Sequence, residues 1–212
     1  MGFGRISFYK TYSSCGIKVT EENTSGWNKL KNWFKAEEEP GRDLIIKNCH
    51  FKSQAEVAGE TLVLNGAGLR SIEGEEIYSV GLYLPKKTTR ADTAKALLGA
   101  RRVTLYILKD LVPADFIPSL RNGIQMNTNE TSQEFIKEEQ AQIEDLMERI
   151  GSFTAGDKVD IDWLPRKGTS VKVNGKVVKD GIRGKAIYDA IMFIWLGNHA
   201  LEASLKDSLL HV

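Results

Sequence analysis

Residues 61–85, TLVLNGAGLRSIEGEEIYSVGLYLP, decide the fold because two apolar segments flank a short polar turn. Leucine, β-branched and aromatic residues fill residues 61–70 and again residues 75–85, a composition typical of β-strands. Gly74 supplies the flexible position that a hairpin turn needs. The stretch therefore predicts two antiparallel strands joined by a hairpin.

Further strand-like segments follow in the chain. RRVTLYIL at residues 101–108 has the same composition, and DKVDIDWLP at residues 157–165 alternates between apolar and polar side chains. TSVKVNGKVVKDG at residues 169–181 predicts a second hairpin, in which Asn174 and Gly175 provide the two positive-φ positions of a type I′ turn.

Helical patterns lie between and after these strands. The segments are residues 89–99, the stretch that starts at Pro113, and residues 131–151, 183–197 and 200–210. Strands first and helices later predict an α+β fold, with helices gathered on one side of an antiparallel sheet.

The ends and faces of two of these helices can also be predicted. Thr131 and Glu134 have the spacing of a capping box, and Gly197 is expected to end its helix in the left-handed conformation. The third of the five helices should bury one apolar face, formed by Phe135, Ile136, Ile143, Leu146, Met147 and Ile150.

Composition excludes several classes of function. The 212 residues suit one main domain, and 29 basic against 28 acidic residues leave a net charge of +1, so we expect no nucleic-acid partner. The most apolar stretch is interrupted by Asp189, so we expect no integral membrane segment. Two cysteines and three histidines lack the spacing of zinc ligands, and we expect neither a metal nor a cofactor.

The first 54 residues differ in character from the rest. Polar runs and the KAEEEPG punctuation at residues 35–41 predict a boundary near Gln54, between an extension at residues 1–54 and a domain at residues 55–212. Trp27 and Trp33 have helical spacing, so a short helix could dock on the domain or on a partner. A leader and an alternative start are two other origins that fit this segment.

Arg70 is the first candidate for a functional residue because it ends an apolar strand. With a three-residue loop at Glu73-Gly74-Glu75, Arg70 lies directly opposite Tyr78, and the two side chains share a face. A two-residue turn at Glu73-Gly74 would break this pairing. On that face Tyr78 is followed by Val80 and Leu82, because side chains alternate along a strand.

A guanidinium and a phenol beside an apolar wall suit an anionic apolar ligand. The guanidinium binds a carboxylate or phenolate through two hydrogen bonds, and the phenol donates a third. In the alternative interpretation, Arg70 packs its stem on Tyr78 and extends its charged end into solvent.

The same residues resemble those of a known family. Segments from this hairpin to the C-terminus are similar to bacterial chalcone isomerase-like proteins: LVLNGAGLR at 62–70, Tyr78, VGLYLP at 80–85, GTSVKVNGK at 168–176, Ile182-Arg183-Gly184, IWLG at 194–197 and LKDSLL at 205–210. The resemblance covers most of residues 55–210. It implies the chalcone isomerase fold, in which an open-faced antiparallel β-sheet packs against a helical layer with the ligand cleft between them.

The resemblance implies two activities and one site. Plant isomerases of this family close a chalcone into a flavanone, whereas a related branch binds fatty acids through an arginine and a tyrosine that match Arg70 and Tyr78. The isomerases place tyrosine, lysine and asparagine on the helix after the third strand, where this chain has Phe116, Ser119 and Asn122. These departures favour binding over efficient cyclisation.

Three hypotheses follow from the resemblance. In the first, the protein binds a fatty acid or similar anion through Arg70, Tyr78, Val80, Leu82, Phe116, Ser119 and Asn122. In the second, an intramolecular lyase uses Arg70 and Tyr78 as catalytic residues on a chalcone-like phenolate. In the third, the fold is a ligand-free interaction scaffold.

The family resemblance implies a periplasmic or secreted protein, whereas the chain as written, without a signal peptide, implies a cytoplasmic one.

Overall fold

The computed structural model describes residues 41–211. From residue 60 onward the element order follows the sequence prediction, whereas the three short strands before residue 60 are not predicted by it. Nine strands and five helices are present in this part of the chain. The strands are β1 Leu44–Ile46, β2 Cys49–Phe51, β3 Gln54–Val57, β4 Glu60–Ile72, β5 Glu75–Leu84, β6 Arg101–Ile107, β7 Lys158–Leu164, β8 Gly168–Val173 and β9 Lys176–Ile182. The helices are α1 Ala91–Ala96, α2 Pro113–Asn127, α3 Glu130–Ile150, α4 Lys185–Leu196 and α5 Ala203–Leu210.

Seven strands, β3 to β9, form one antiparallel sheet in sequential order, and β1 and β2 form a separate hairpin. Every strand of the large sheet pairs with its neighbour in the chain, which confirms the predicted α+β class. The hairpin at Asn174-Gly175 is also confirmed, since Val173 pairs with Lys176 and the two turn residues have φ of 50° and 80°.

The two faces of the sheet carry different cores. Val80, Leu82 and Leu84 of β5 belong to the larger core, which includes buried residues of all five helices. On the opposite face, Phe51 of β2 is fully buried, and a side chain at Gly81 would place its Cβ 2.5 Å from the Phe51 ring. The helices therefore cover one face, and the β1–β2 hairpin covers part of the other.

The β4–β5 hairpin has the predicted pairing of Arg70 with Tyr78 but a different turn. Ile72 pairs with Glu75, so the turn has two residues, Glu73 and Gly74, with φ of 52° and 85°; the predicted three-residue loop is wrong. The register then shifts by one residue between Arg70 and Ser71, where Ile77 is the extra residue of a β-bulge. The bulge offsets the shorter turn, and the predicted pairing of Arg70 with Tyr78 is confirmed.

A second bulge in the same strand pair places Asn65 where it links three elements. The register shifts between Leu64 and Gly66, which leaves Asn65 unpaired in the ladder and fully buried. Its amide donates to the carbonyls of Leu209 and Thr88 at 2.6 and 3.0 Å, and its oxygen accepts from the Thr88 backbone at 2.7 Å. Asn65 therefore connects β4 to the loop before α1 and to the end of α5.

Helix α5 packs against β4 at two glycines. A Cβ at Gly66 would lie 2.2 Å from the Ser208 carbonyl oxygen, and a Cβ at Gly68 would lie 2.6 Å from the Leu205 side chain. Since alternate residues of a strand point to the same face, Arg70 follows these glycines on the side of α5. The Gly-x-Gly-x-Arg sequence thus brings the start of α5 close to the Arg70 side chain.

Three details of the helices differ from the sequence prediction. Asn129, and not Thr131, caps α3, because its side chain accepts a hydrogen bond from the Ser132 backbone at 2.8 Å. Phe135 is predicted on the buried face of α3 but is 74% exposed, whereas Ile136, Ile143 and Leu146 are buried as expected. Gly197 has φ −69° and ψ 179°, so it ends α4 in an extended and not a left-handed conformation.

The described residues upstream of the predicted boundary contribute to the packing. Phe51 and Cys49 are buried, so the segment at 44–51 adds to the core on its side of the sheet. The helix predicted around Trp27 and Trp33 lies outside the described residues. Within residues 41–211, no helix is long and apolar enough to cross a membrane.

The substitution Gly66→Ala tests the close packing of α5 on β4. Its methyl group would collide with the backbone of α5, so we expect the free energy of unfolding to fall by roughly 2–3 kcal/mol. Urea denaturation followed by circular dichroism measures the change. Gly41→Ala is the matched control, because the nearest atoms to its Cβ belong to the flexible Lys87 side chain at 3.5 Å. Equal stability of the two variants would contradict the packing.

Candidate functional site

A cleft of about 420 Å³ opens beside the turn of the β4–β5 hairpin. Its walls are formed by strands β4 and β5, the segment after β6, the first turns of α2, and Leu201, two residues before α5. The lining residues are Arg70, Ile72, Glu73, Glu75, Ile77, Tyr78, Lys109, Leu111, Asp115, Phe116, Ser119 and Leu201. The cleft therefore combines charged groups at its rim with apolar groups on its walls.

The Arg70 guanidinium is held at the edge of this cleft by the segment that leads into α5. Its Nη1 donates to Glu202 Oε2 at 3.1 Å and to the Leu201 carbonyl at 3.4 Å. The Arg70 and Glu202 side chains are 18% and 30% exposed, so the ion pair is only partly shielded from water. Neither interpretation of the isolated hairpin included this carboxylate, which lies far along the chain.

Glu202 is fixed by other donors besides Arg70. Ser204 Oγ donates to Glu202 Oε1 at 2.7 Å, and the Ser71 backbone lies 3.5 Å from Oε2. Burial alone would raise the pKa of Glu202, but the hydrogen bonds from Ser204, Arg70 and Ser71 and the charge of Arg70 overcome it and lower the pKa. The carboxylate is therefore ionised when it contacts Arg70 near neutral pH.

Tyr78 lies on β5 opposite Arg70, and its hydroxyl contacts α4. Trp195 Nε1 donates to Tyr78 Oη at 2.9 Å, and the two rings meet edge to face with centroids 6.5 Å apart. Because the hydroxyl oxygen accepts this bond, its own hydrogen is available to a second acceptor. Burial raises the pKa of Tyr78, while the Trp195 hydrogen bond and the Arg70 charge oppose the rise only in part. Tyr78 is therefore a neutral donor.

A second, wholly apolar cavity of about 100 Å³ lies deeper, between the sheet and helices α2, α3 and α4. Tyr78, Leu111 and Phe116 line both the outer cleft and this inner cavity. Phe153 contributes to the inner wall, and its ring centroid is 5.1 Å from that of Phe116. The three shared side chains separate a polar opening from an apolar interior.

The rim of the outer cleft carries more acidic than basic side chains. Lys109 pairs with Glu75, and Asp115 accepts a hydrogen bond from the Val112 backbone at 2.9 Å at the start of α2. Glu73 also lines the cleft. An incoming anion would therefore be attracted by Arg70 locally and not by a positive field over the whole opening.

The structure brings together four of the seven residues predicted for the ligand site. Arg70, Tyr78, Phe116 and Ser119 line the outer cleft. Three residues lie elsewhere: Val80 and Leu82 are buried in the helix-side core, and Asn122 is exposed on α2 and lines neither cavity.

Residues that the sequence reasoning missed come from distant parts of the chain. Glu202 contacts Arg70 across 132 positions and Trp195 contacts Tyr78 across 117 positions, so no local spacing could indicate either contact. The inner wall includes Leu146 and Ile143 of α3, whose apolar periodicity identified a buried face but not a cavity. No cluster of three or more potential metal ligands occurs among residues 41–211.

A larger groove of about 540 Å³ runs between α2 and α3 but has a different character. It is lined mainly by charged and amide side chains, including Arg121, Gln133 and Glu144. Arg121 and Glu144 pair with each other across it at 2.6 Å. Because the cleft at Arg70 and Tyr78 adjoins an apolar cavity and this groove has a mainly polar lining, the smaller cleft is the better candidate for a ligand site.

Comparisons with known proteins agree with this fold. A family model described as chalcone isomerase-like matches residues 44–211. A solved structure of a fatty-acid-binding protein from Arabidopsis thaliana superimposes with a TM-score of 0.59 and 14% identity, covering 79% of this chain and 95% of that chain. At this identity the likeness confirms the fold alone. A search of curated protein sequences gave no significant match. The bacterial branch named by the sequence resemblance stays a prediction.

The raised pKa of Tyr78 predicts that its phenol does not ionise in the folded protein near pH 10. The neutral phenol contributes stability that is fully present below the unfolded-state pKa of about 10 and is lost as the pH rises through the folded-state pKa. Ultraviolet absorbance titration should therefore give the same phenolate signal for wild type and Tyr78→Phe up to about pH 10.5. An additional phenolate in the folded wild type, with a midpoint near pH 10, would contradict the raised pKa of Tyr78.

Proposed function

Because the chain belongs to the chalcone isomerase-like family, we propose that it binds a small anionic apolar ligand, foremost a fatty acid, between the sheet and the helices. Arg70 and Tyr78 bind the carboxylate, and the apolar tail extends between Leu111 and Phe116. The observation that carries the proposal is that the two cavities adjoin, since Tyr78, Leu111 and Phe116 line both the polar cleft and the apolar interior.

The head group would be held by charge and by a neutral donor together. Among the described residues, Arg70 donates hydrogen bonds through Nη1, to Glu202 and to the Leu201 carbonyl. The other guanidinium nitrogens carry further N–H donors. The Tyr78 hydroxyl provides one more hydrogen-bond donor, because its oxygen accepts from Trp195 and its hydrogen is available to the ligand. Hydrogen bonds to an ionised carboxylate are stronger than those between neutral groups, so this arrangement favours an anion over a neutral head group.

The tail would be held by apolar contact. The inner cavity has no polar lining, and its walls include Leu120, Met147 and Phe153. Its volume of about 100 Å³ is below the roughly 300 Å³ at the lower end of ligand pockets, so the cavity takes the end of a tail while the outer cleft takes the rest. A ligand with one polar end and one flexible apolar end fits this shape.

The similar solved structure supports the same class of ligand. The Arabidopsis protein is described as a fatty-acid-binding protein, and its likeness to this chain is a likeness of fold. The local geometry at Arg70 and Tyr78 adds what the fold alone does not supply, namely a charged donor and a neutral donor at the opening of an apolar cavity.

The geometry gives less support to the intramolecular lyase. Asn122 is exposed outside both cavities, and Phe116 presents an apolar ring where the plant isomerases have a tyrosine. The Ser119 hydroxyl donates to the Asp115 carbonyl at 3.2 Å within α2. The polar groups that would position and polarise a chalcone are therefore reduced to Arg70 and Tyr78.

Replacing Arg70 tests the assignment of the head group. We expect Arg70→Met to weaken dodecanoate binding by about 10- to 100-fold, the loss of a charge-assisted hydrogen-bond pair, while dodecanol binding changes little. Isothermal titration calorimetry with both ligands measures the difference. Arg121→Met is the matched control, because Arg121 lies on α2 outside the cleft. Equal dodecanoate affinity of Arg70→Met and wild type would refute the assignment.

A series of saturated carboxylates tests the assignment of the tail. Each buried methylene contributes about 0.8 kcal/mol, so affinity should rise about fourfold per added carbon between hexanoate and decanoate and then level off as the apolar interior fills. Competition against a fluorescent fatty acid, below the micellar concentration of each ligand, gives these affinities. An affinity that does not depend on chain length would show that the apolar cavity takes no part in binding.

A further inference from the structure

The Arg70 guanidinium already binds a carboxylate that belongs to the protein. Glu202 Oε2 lies 3.1 Å from Arg70 Nη1, within hydrogen-bond distance, and the two groups carry opposite charges. Glu202 is the residue that precedes α5, and Leu201 beside it lines the ligand cleft. A carboxylate of the protein therefore makes the interaction with Arg70 that a fatty-acid head group would make.

Two carboxylates on one guanidinium repel each other at this distance. Like charges a few ångströms apart in a partly buried site cost free energy unless further cations balance them. The other cation at the cleft, Lys109, pairs with Glu75. Glu73 and Asp115 add further negative charge to the lining. The site as it stands has no spare positive charge for a second carboxylate.

We propose that Glu202 acts as an internal competitor, which occupies Arg70 in the free protein and is displaced when an anionic ligand binds. This inference rests on the proposed function, because it concerns the same Arg70 site. It gives Glu202 a role in selectivity. A ligand displaces Glu202 only when the binding free energy of its head group and tail together exceeds the free energy of the Arg70–Glu202 ion pair.

The surroundings of Glu202 allow such displacement. Its side chain is 30% exposed, and as the residue before α5 it makes no side-chain cap to the helix backbone. The partner that would stay with it after release is Ser204, whose hydroxyl bonds the other carboxylate oxygen at 2.7 Å. A rotation of the Glu202 side chain toward water would free Arg70 without moving α5, which is anchored by its contacts with Gly66 and Gly68.

The thermodynamic consequence is a lowered apparent affinity. A ligand that requires the displaced state binds with its intrinsic affinity multiplied by the fraction of molecules in that state. Removing the negative charge of Glu202 should remove this reduction, and the gain should be confined to anionic ligands. A neutral ligand of the same length does not compete for Arg70 and should be indifferent to Glu202.

Glu202→Gln tests the inference. We expect this variant to bind dodecanoate about tenfold more tightly than wild type, whereas its dodecanol affinity stays the same. In an Arg70→Met background, Glu202→Gln should raise the dodecanoate affinity only by the general electrostatic effect of removing one negative charge. That effect is measured by the control Asp207→Asn, which removes a charge from the exposed side of α5. Titration calorimetry gives the affinities, and thermal denaturation verifies that each variant is folded.

Glu202→Asp provides a second variant if the glutamine form folds poorly. It keeps the charge but shortens the side chain, so the ion pair with Arg70 weakens and dodecanoate affinity should rise by a smaller factor. Unchanged or weaker dodecanoate binding in both variants, beside normal binding by wild type, would overturn the competitor role and identify Glu202 as a residue that positions Arg70. Absence of dodecanoate binding in wild type and in both variants would instead refute the proposed function together with the inference.

Discussion

The close approach of α5 to β4 is the constraint on which the site depends. Gly66 and Gly68 leave no room for a side chain beneath this helix, and the Gly66 position meets its backbone. The approach brings Leu201 and Glu202 to Arg70, while Asn65, one residue before the first glycine, bonds the far end of the helix at Leu209. One segment of β4 thus determines both the packing of the C-terminal helix and the ion pair that Arg70, the proposed ligand-binding residue, makes with Glu202.

The arrangement places polar groups and apolar groups in two adjoining cavities. Arg70 and Tyr78 lie at the outer end, where partial exposure keeps the cost of burying a charge low. Beyond Phe116 the interior is wholly apolar, so a charged group that moved past it would lose its hydration without compensation. Under the proposed function, these two adjoining cavities would orient an amphipathic ligand with its anionic end outward, which is the physical basis for proposing a carboxylate with an apolar tail over either part alone.

Local pattern was enough to predict most elements but not the contacts that define the site. Period-two and helical spacings located the long hairpin, α2, α3 and the type I′ turn, because these features depend on neighbouring residues. The Arg70–Tyr78 pairing was predicted from a wrong turn, and the bulge at Ile77 restored it. Glu202, Trp195 and the inner cavity depend on packing between distant segments, for which one sequence carries no signal. Phe135 shows the opposite limit, since helical spacing groups it with the buried face of α3 although its side chain is exposed.

The most direct test of the central claim is the position of a bound carboxylate. A crystal structure of the protein with saturating dodecanoate should show the carboxylate within hydrogen-bond distance of Arg70 and Tyr78, with the tail directed past Phe116 toward Phe153. A vacant cleft at saturating ligand, or a carboxylate bound elsewhere with Arg70 still paired to Glu202, would contradict the account.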